Sequence, residues 1–471
     1  MGAPLMVSGL DVIAPSVAGL QRLQLPPPPQ PLPDLRAAVA SALRSPVAGP
    51  PLAERVRPRS RVLVVIEPPA HGVPLGEVRG LRLALAEILA ELARAGLPRD
   101  RVRLLVANGL EPAPPMTELA AALGLEHTAA FACTAFDAEA PRGHRSFPDG
   151  QGGIQELSSA LADCDLAIDL SLRAQGPRVP LHNLLVGLAT YRTLQTIDAP
   201  DVAPSERERR LLQRGRALAE SVELFSVALV QDGALISGAL RLALGPASVR
   251  AWNRLPQVVR RRALTSWRSS AAPCAVFAGE PFATEERAEA LARHHMVVEQ
   301  GGQLDALIIP VPDLSPDSPR ARSNPVLAAH LGLTHLLARA RHRLHDGGAV
   351  ILLNPLHEEH DRKLHLPFID FYARALRLAS TGPELAARFE VEASGRPEFV
   401  SAYQRRGAAH GALPFQRWYA LEHARRGLRC FVVGAGAAAA QRVGLEPAEH
   451  LGSALDAAGG KLVGALDLLQ L

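Results

Sequence analysis

Along the chain, short continuous apolar runs alternate with longer stretches whose apolar residues recur every three or four positions. Residues 62–66, VLVVI, are five apolar positions in a row. That is too few for a helix and rich in β-branched side chains, so it predicts a strand buried on both faces. Pro68 and Pro69 follow, and neither can continue a ladder. From 81 to 95 the period changes: Leu81, Leu85, Ile88, Leu89 and Leu92 fall on one helical face. A second strand is predicted over 102–107. In parallel sheets built from such units, ligands sit beyond the carboxyl ends of the strands. The loops 67–74 and 108–115 are therefore expected to face any active site.

The alternation continues. A helix is predicted at 116–124, loops over 132–153, a helix at 157–162 and a third strand at 165–170. A buried helix at 182–194 and a charged one at 205–220 follow. Asp232-Gly233 between the runs 224–230 and 234–244 is a hairpin signal. After a basic helical stretch at 247–264 the pattern restarts, with strands at 274–277, 306–311, 349–353 and 430–434. Helices are expected at 283–295 and 324–343, the latter with Asn324 as its cap and Pro325 at its first position. The tract LPPPPQPLP at 25–33 predicts an extended arm over the first domain, and Asp34 the cap of a short helix. The expected organisation is an arm and short helix (1–45), then an α/β domain (46–265) and a second one (266–471). The fold class is α/β, two α/β domains facing each other across a cleft, and the last helices could pack back on the first domain.

Composition narrows the function. The chain has 471 residues and a formal net charge of +4. Acids and bases are interleaved, no dense basic stripe occurs, and aromatics are 4%. No nucleic-acid role is expected. The bases are almost all arginine, and the only lysines are Lys363 and Lys461. Arginine cannot form a Schiff base or an amide-type link to a cofactor. Cys133, Cys164, Cys274 and Cys430 form no C-x-x-C pair, which suits a reducing cytoplasm. The amino terminus makes a poor signal peptide, and no apolar run reaches the length of a membrane span. A cytoplasmic protein with no membrane partner is expected.

Two groups of residues are candidates for chemistry. His71, Glu111 and His182 lie in loops at the carboxyl edge of the first sheet, where a carboxylate and two imidazoles could do acid–base work; solvated loop residues are the alternative. In HEEHDRKLH, His357 and His360 are three apart with Glu358 and Glu359 between them. Imidazole plus carboxylate suits a transition metal. The favoured alternative is a polar helix entry, whose glutamates complement the helix dipole. Gly434-Ala435-Gly436 lacks the third glycine of a dinucleotide fingerprint.

The order of segments resembles one known family. SPVAGPPLAERVRPRSRVLVVI (45–66), LLVANGLEPAPPMTELAAALG (104–124), DLAIDL (165–170), LLVGLATYRTLQ (184–195), LVQDGALISGALRLALGP, LDALIIPVP and HDGGAVILLNP together resemble the nickel-dependent lactate racemases. The resemblance implies two α/β domains about a cleft and a small-molecule ligand held between them. It also implies a nickel pincer nucleotide joined to a lysine, a nickel-ligating histidine and two proton-exchanging histidines. Carried over by position, this chain departs almost everywhere. The loop after the first strand falls on Pro68, Pro69, Ala70 and His71. One catalytic histidine falls on Glu111, the tether lysine on His182 and the nickel histidine near Asp198. The segment that should carry the other catalytic histidine is shortened to 173–181. Trp418 is similar to the tryptophan of the family's Asp-Gln-Trp segment and is carried over as a catalytic position. Asn108, Gly109 and Gly187 match its glycine-bearing loops and are carried over as cofactor-binding positions, though glycines there also serve backbone geometry. The cofactor is therefore expected to be absent. The chain is expected to be either a racemase or epimerase of a small 2-hydroxy acid or sugar acid with a remodelled site, or a catalytically silent homologue that binds a ligand or a protein.

Overall fold

The computed structural model describes residues 5–15, 17, 19–27, 29–68, 75–173, 179–231, 246–266, 272–313 and 323–467. His71, most of the loop expected at 173–180 and the second arm of the hairpin expected at 234–244 lie outside these residues.

Two six-stranded sheets organise the molecule. Strands β1 (Met6–Ser8) and β2 (Asp11–Ile13) form a separate amino-terminal hairpin, and β3 (Gln21–Leu23) enters one of the large sheets. The first large sheet is built on β4 (Val62–Ile66), β5 (Val102–Val106) and β6 (Ala132–Ala135). A small hairpin of β7 (His144–Pro148) and β8 (Ile154–Ser158) precedes β9 (Leu166–Arg173), β10 (Leu224–Gln231) and β11 (Pro273–Gly279). The first sheet runs β11-β10-β9-β4-β5-β6, parallel throughout except for antiparallel β11. The second contains β12 (Leu304–Pro310), β13 (Leu344–Leu353), β14 (Arg429–Val433), β15 (Glu446–Ala448) and β16 (Val463–Leu466). Its order is β15-β14-β13-β12-β16-β3, all parallel.

Every residue of β4, β9 and β10 is buried, as expected of central parallel strands covered on both faces. The helix Leu75–Arg94 lays Leu81, Leu85, Ile88 and Leu92 against one face of the first sheet. On the other face one apolar cluster runs from Leu63, Val65 and Leu105 across to Leu307, Ile309 and Leu352 of the second sheet. The two sheets thus share buried surface.

Several elements differ from expectation, each through a contact distant in sequence. The strand expected at 274–277 was to open the second half, but as β11 it closes the first sheet against β10. The amino-terminal segment, expected only as an arm, gives β3 to the second sheet. The arm does reach the first sheet, where Leu32 N donates to Pro273 O at 3.0 Å. The stretch 132–153 carries β6 and β7, and 157–162 is the end of β8 followed by a single 3₁₀ turn. The helix expected at 182–194 is two, His182–Leu185 and Tyr191–Ile197, the second capped by Thr190. Asn324 does cap the next long helix, accepting from Leu327 N at 3.0 Å. That helix passes from α (Pro325–His330) into a π turn (Leu331–Leu336) and 3₁₀ turns. Asp34 caps Leu35–Arg44 as expected.

Candidate functional site

The loop after β5 is held from three sides. Glu111 N donates to Asn108 O at 2.9 Å, closing a tight turn. The buried Asn108 side chain donates to the carbonyls of Gly109 and Glu111 from within the turn. Gly109 has φ +52°, and its N donates to Gly187 O at 2.9 Å. This contact joins the loop to the segment after the helix that begins at His182. Both glycines are required by space. A Cβ on Gly109 would lie 2.8 Å from Val186 O, and one on Gly187 would lie 2.4 Å from Ala107 O.

The third side is the helical region between β13 and β14. Tyr403 Oη donates to Gly109 O at 2.6 Å and accepts from Ala138 N at 3.2 Å. His410 N donates to Leu110 O at 2.9 Å. The His410 ring is fully buried: Nδ1 accepts from Ala412 N at 3.1 Å, so Nε2 carries the hydrogen toward Glu139 Oε1, 3.0 Å away. Tyr403 and Tyr191 flank that ring. Glu111, presented at the end of the turn, forms an ion pair with Arg417 Nη2 on the helix Leu413–Ala424. The two side chains are 37% and 23% exposed. The pair is therefore open to solvent while its backbone supports are not.

Behind Arg417 the helix is buried. His330 Nδ1 donates to Arg417 O at 3.2 Å, and burial holds this imidazole well below its usual pKa. Trp418 stacks edge-on with Phe371 and lies under the Arg425 guanidinium. Among the described residues, His330 Nε2 and Trp418 Nε1 are buried without a hydrogen-bond partner. Deeper still, Tyr419 Oη donates to Glu390 Oε2 at 2.8 Å, and burial pushes the Glu390 carboxyl up.

The residues singled out by sequence divide as follows. Glu111 and His182 come to adjoining segments at the carboxyl edge of the first sheet through the Gly109–Gly187 contact, and His182 is half-buried. Asn108, Gly109 and Gly187 meet, Asn108 through its side chain on Gly109 O and Gly109 through its N on Gly187 O. Trp418 is buried in the helix that supplies Arg417. His71 is outside the described residues. His357 and His360 lie after β13, at the carboxyl edge of the second sheet. His357 is exposed, whereas His360 is half-buried against Tyr372 with its pKa lowered by burial. Among the described residues no group of three or more histidine, cysteine, aspartate or glutamate side chains could hold a metal ion. Sequence reasoning missed Arg417, His410, Tyr403 and Glu139. Only Arg417 had a signal, its place beside Trp418.

A cavity of about 450 Å³ lies at the other end of the first sheet, lined by Arg61, Asp100, Arg101, Arg103, Asp163 and Cys164. It sits at the amino ends of β4 and β5, where parallel sheets do not ordinarily place ligand chemistry.

The tethered nickel nucleotide implied by the resemblance does not fit the residues present. Tethering needs an amine, and no lysine precedes Lys363. His182 opens its short helix where the tether would stand. An imidazole could ligate a metal but does not form that linkage.

Comparisons with known proteins bear on the family. Residues 14–170 match the lactate racemase N-terminal domain. The structure resembles that of the lactate racemase apoprotein from Thermoanaerobacterium thermosaccharolyticum with a TM-score of 0.65, at 14% identity, over 99% of each chain. A protein from Thermotoga maritima of solved structure matches with a TM-score of 0.47 at 12% identity, over 88% of this chain and 91% of that one. No curated protein matches the sequence. No helix among the described residues is long and apolar enough to cross a membrane. Residues 14–170 thus match the lactate racemase N-terminal domain, and the α/β fold is that of the lactate racemase apoprotein.

Proposed function

We propose that this chain is a divergent member of the lactate racemase family. It binds a small 2-hydroxy acid or sugar acid at the junction of its two sheets, without the tethered nickel nucleotide, and does not racemise lactate by the family's route. One observation carries this reading: the first 362 residues contain no lysine, so the family's covalent attachment has no nucleophile. The proton-exchange positions agree with it. Glu111 replaces one histidine and is engaged with Arg417. Proton exchange near neutral pH is the usual work of an imidazole, which this position lacks.

A second reading, a racemase or epimerase with a remodelled site, is favoured by one feature: Glu111 and His182 stand on segments joined by the Gly109–Gly187 contact. The test separates the two. The protein is co-expressed with the enzymes that build the nickel nucleotide of a lactate racemase, then examined by intact mass and by turnover on lactate and other 2-hydroxy acids. The expected result is an unmodified mass and no turnover above background. A mass increase equal to the nucleotide would overturn the proposal. Turnover with an unmodified mass would favour the second reading.

A further inference from the structure

We infer that Arg417 is the anchor for the ligand's carboxylate and that Glu111 is a built-in competitor occupying it. This rests on the reading that the junction takes a small hydroxy acid. Three observations point to it. Arg417 is the cation that the helix Leu413–Ala424 presents to the loop at the carboxyl end of β5, the edge where an α/β sheet receives its ligand. The partner it meets there is itself a carboxylate, that of Glu111. A guanidinium suits carboxylate recognition because its fork of donors matches the two oxygens. Finally, the two ends of the pair are held differently from its middle. The Glu111 backbone is fixed by Asn108, Gly109 and Tyr403, and the Arg417 backbone by His330. The charged groups themselves remain partly open to solvent.

An incoming carboxylate can therefore replace Glu111 on Arg417 without moving either backbone. The Glu111 side chain swings into water, and the guanidinium keeps a carboxylate partner throughout. Such exchange lowers affinity by the strength of the internal pair. For a solvent-open pair this is a few-fold in binding constant, roughly twofold to fivefold. The device favours ligands whose other groups add contacts and rejects bare anions.

The test is calorimetric titration of the full chain with D- and L-lactate, D-glycerate and D-gluconate, with lactamide as the uncharged control. Glu111→Gln keeps the shape and removes the competing charge, so it is expected to tighten carboxylate binding by roughly twofold to fivefold. Arg417→Gln is expected to weaken it by about tenfold or more, and Arg417→Lys by less, since a point charge remains without the fork. Lactamide should bind none of them. A purely structural pair predicts the opposite sign for Glu111→Gln, because losing the pair would loosen the site. Binding by Arg417→Gln or Arg417→Lys as tight as the parent's would overturn the inference while leaving the proposed function standing. Failure of both the parent and Glu111→Gln to bind any carboxylate would overturn the two together.

Discussion

Gly187 occupies a position that no other residue fits. A Cβ there would come within 2.6 Å of Asn183 O as well as 2.4 Å of Ala107 O. Backbone oxygens cannot swing aside as side chains do. Gly187→Ala should therefore cost about 1–3 kcal/mol, read as a lower urea midpoint. An unchanged midpoint would show that the loop after β5 can relax away. The resemblance carried Asn108, Gly109 and Gly187 over as cofactor-binding positions; in the fold they meet through the turn after β5 and the Gly109–Gly187 contact. Glu111 was legible because a residue just past a parallel strand belongs at the ligand edge whatever follows it. Its partner Arg417 was not, because the two are 306 positions apart, and an ion pair at that separation leaves no periodic signal.

At the scale of elements, β9 ends in a charge that the sequence did not anticipate. Arg173 and Glu285 of the helix Pro281–Met296 form a buried ion pair, each 1% exposed, and Ser171 Oγ donates to Glu285 Oε1 at 3.4 Å. This pair fastens the helix to the sheet beside antiparallel β11. Removing Glu285 takes a carboxylate away from a buried guanidinium, so Glu285→Ala should cost about 3–5 kcal/mol. Replacing both residues by methionine should recover much of that loss, since two apolar side chains need no partner. Denaturant unfolding of the three proteins checks the order. A double variant no more stable than Glu285→Ala would mean that the pair supplies more than charge balance. The strands with unbroken apolar runs were readable at this scale. The pairing of β10 with β11 was not, because β11 lies more than forty residues on and strand edges carry no sequence label.

For the molecule as a whole, acidity is expected to be the main solution variable. Burial lowers the pKa of His127, His295, His330, His360 and His423 below 6.5. In each case the unfolded chain binds the proton more readily than the folded one. The stability these groups support is present above pH 6.5 and is lost as pH falls through their folded pKa values. The urea midpoint should therefore fall between pH 7 and pH 5. A flat profile over that interval would show that water reaches these rings. The sequence by itself determined the parallel strands, the α/β class and the absence of a tether amine. Hydrophobic period and residue chemistry are local properties, readable without knowing what packs on what. Tertiary structure alone decided which segment joined which sheet. β3 crosses to the second sheet and β11 stays with the first, because strand edges pair through backbone groups that every residue carries. It also decided that Arg417 meets Glu111, because that contact depends on how the helix Leu413–Ala424 is seated over a loop three hundred residues earlier, on a core the two sheets share.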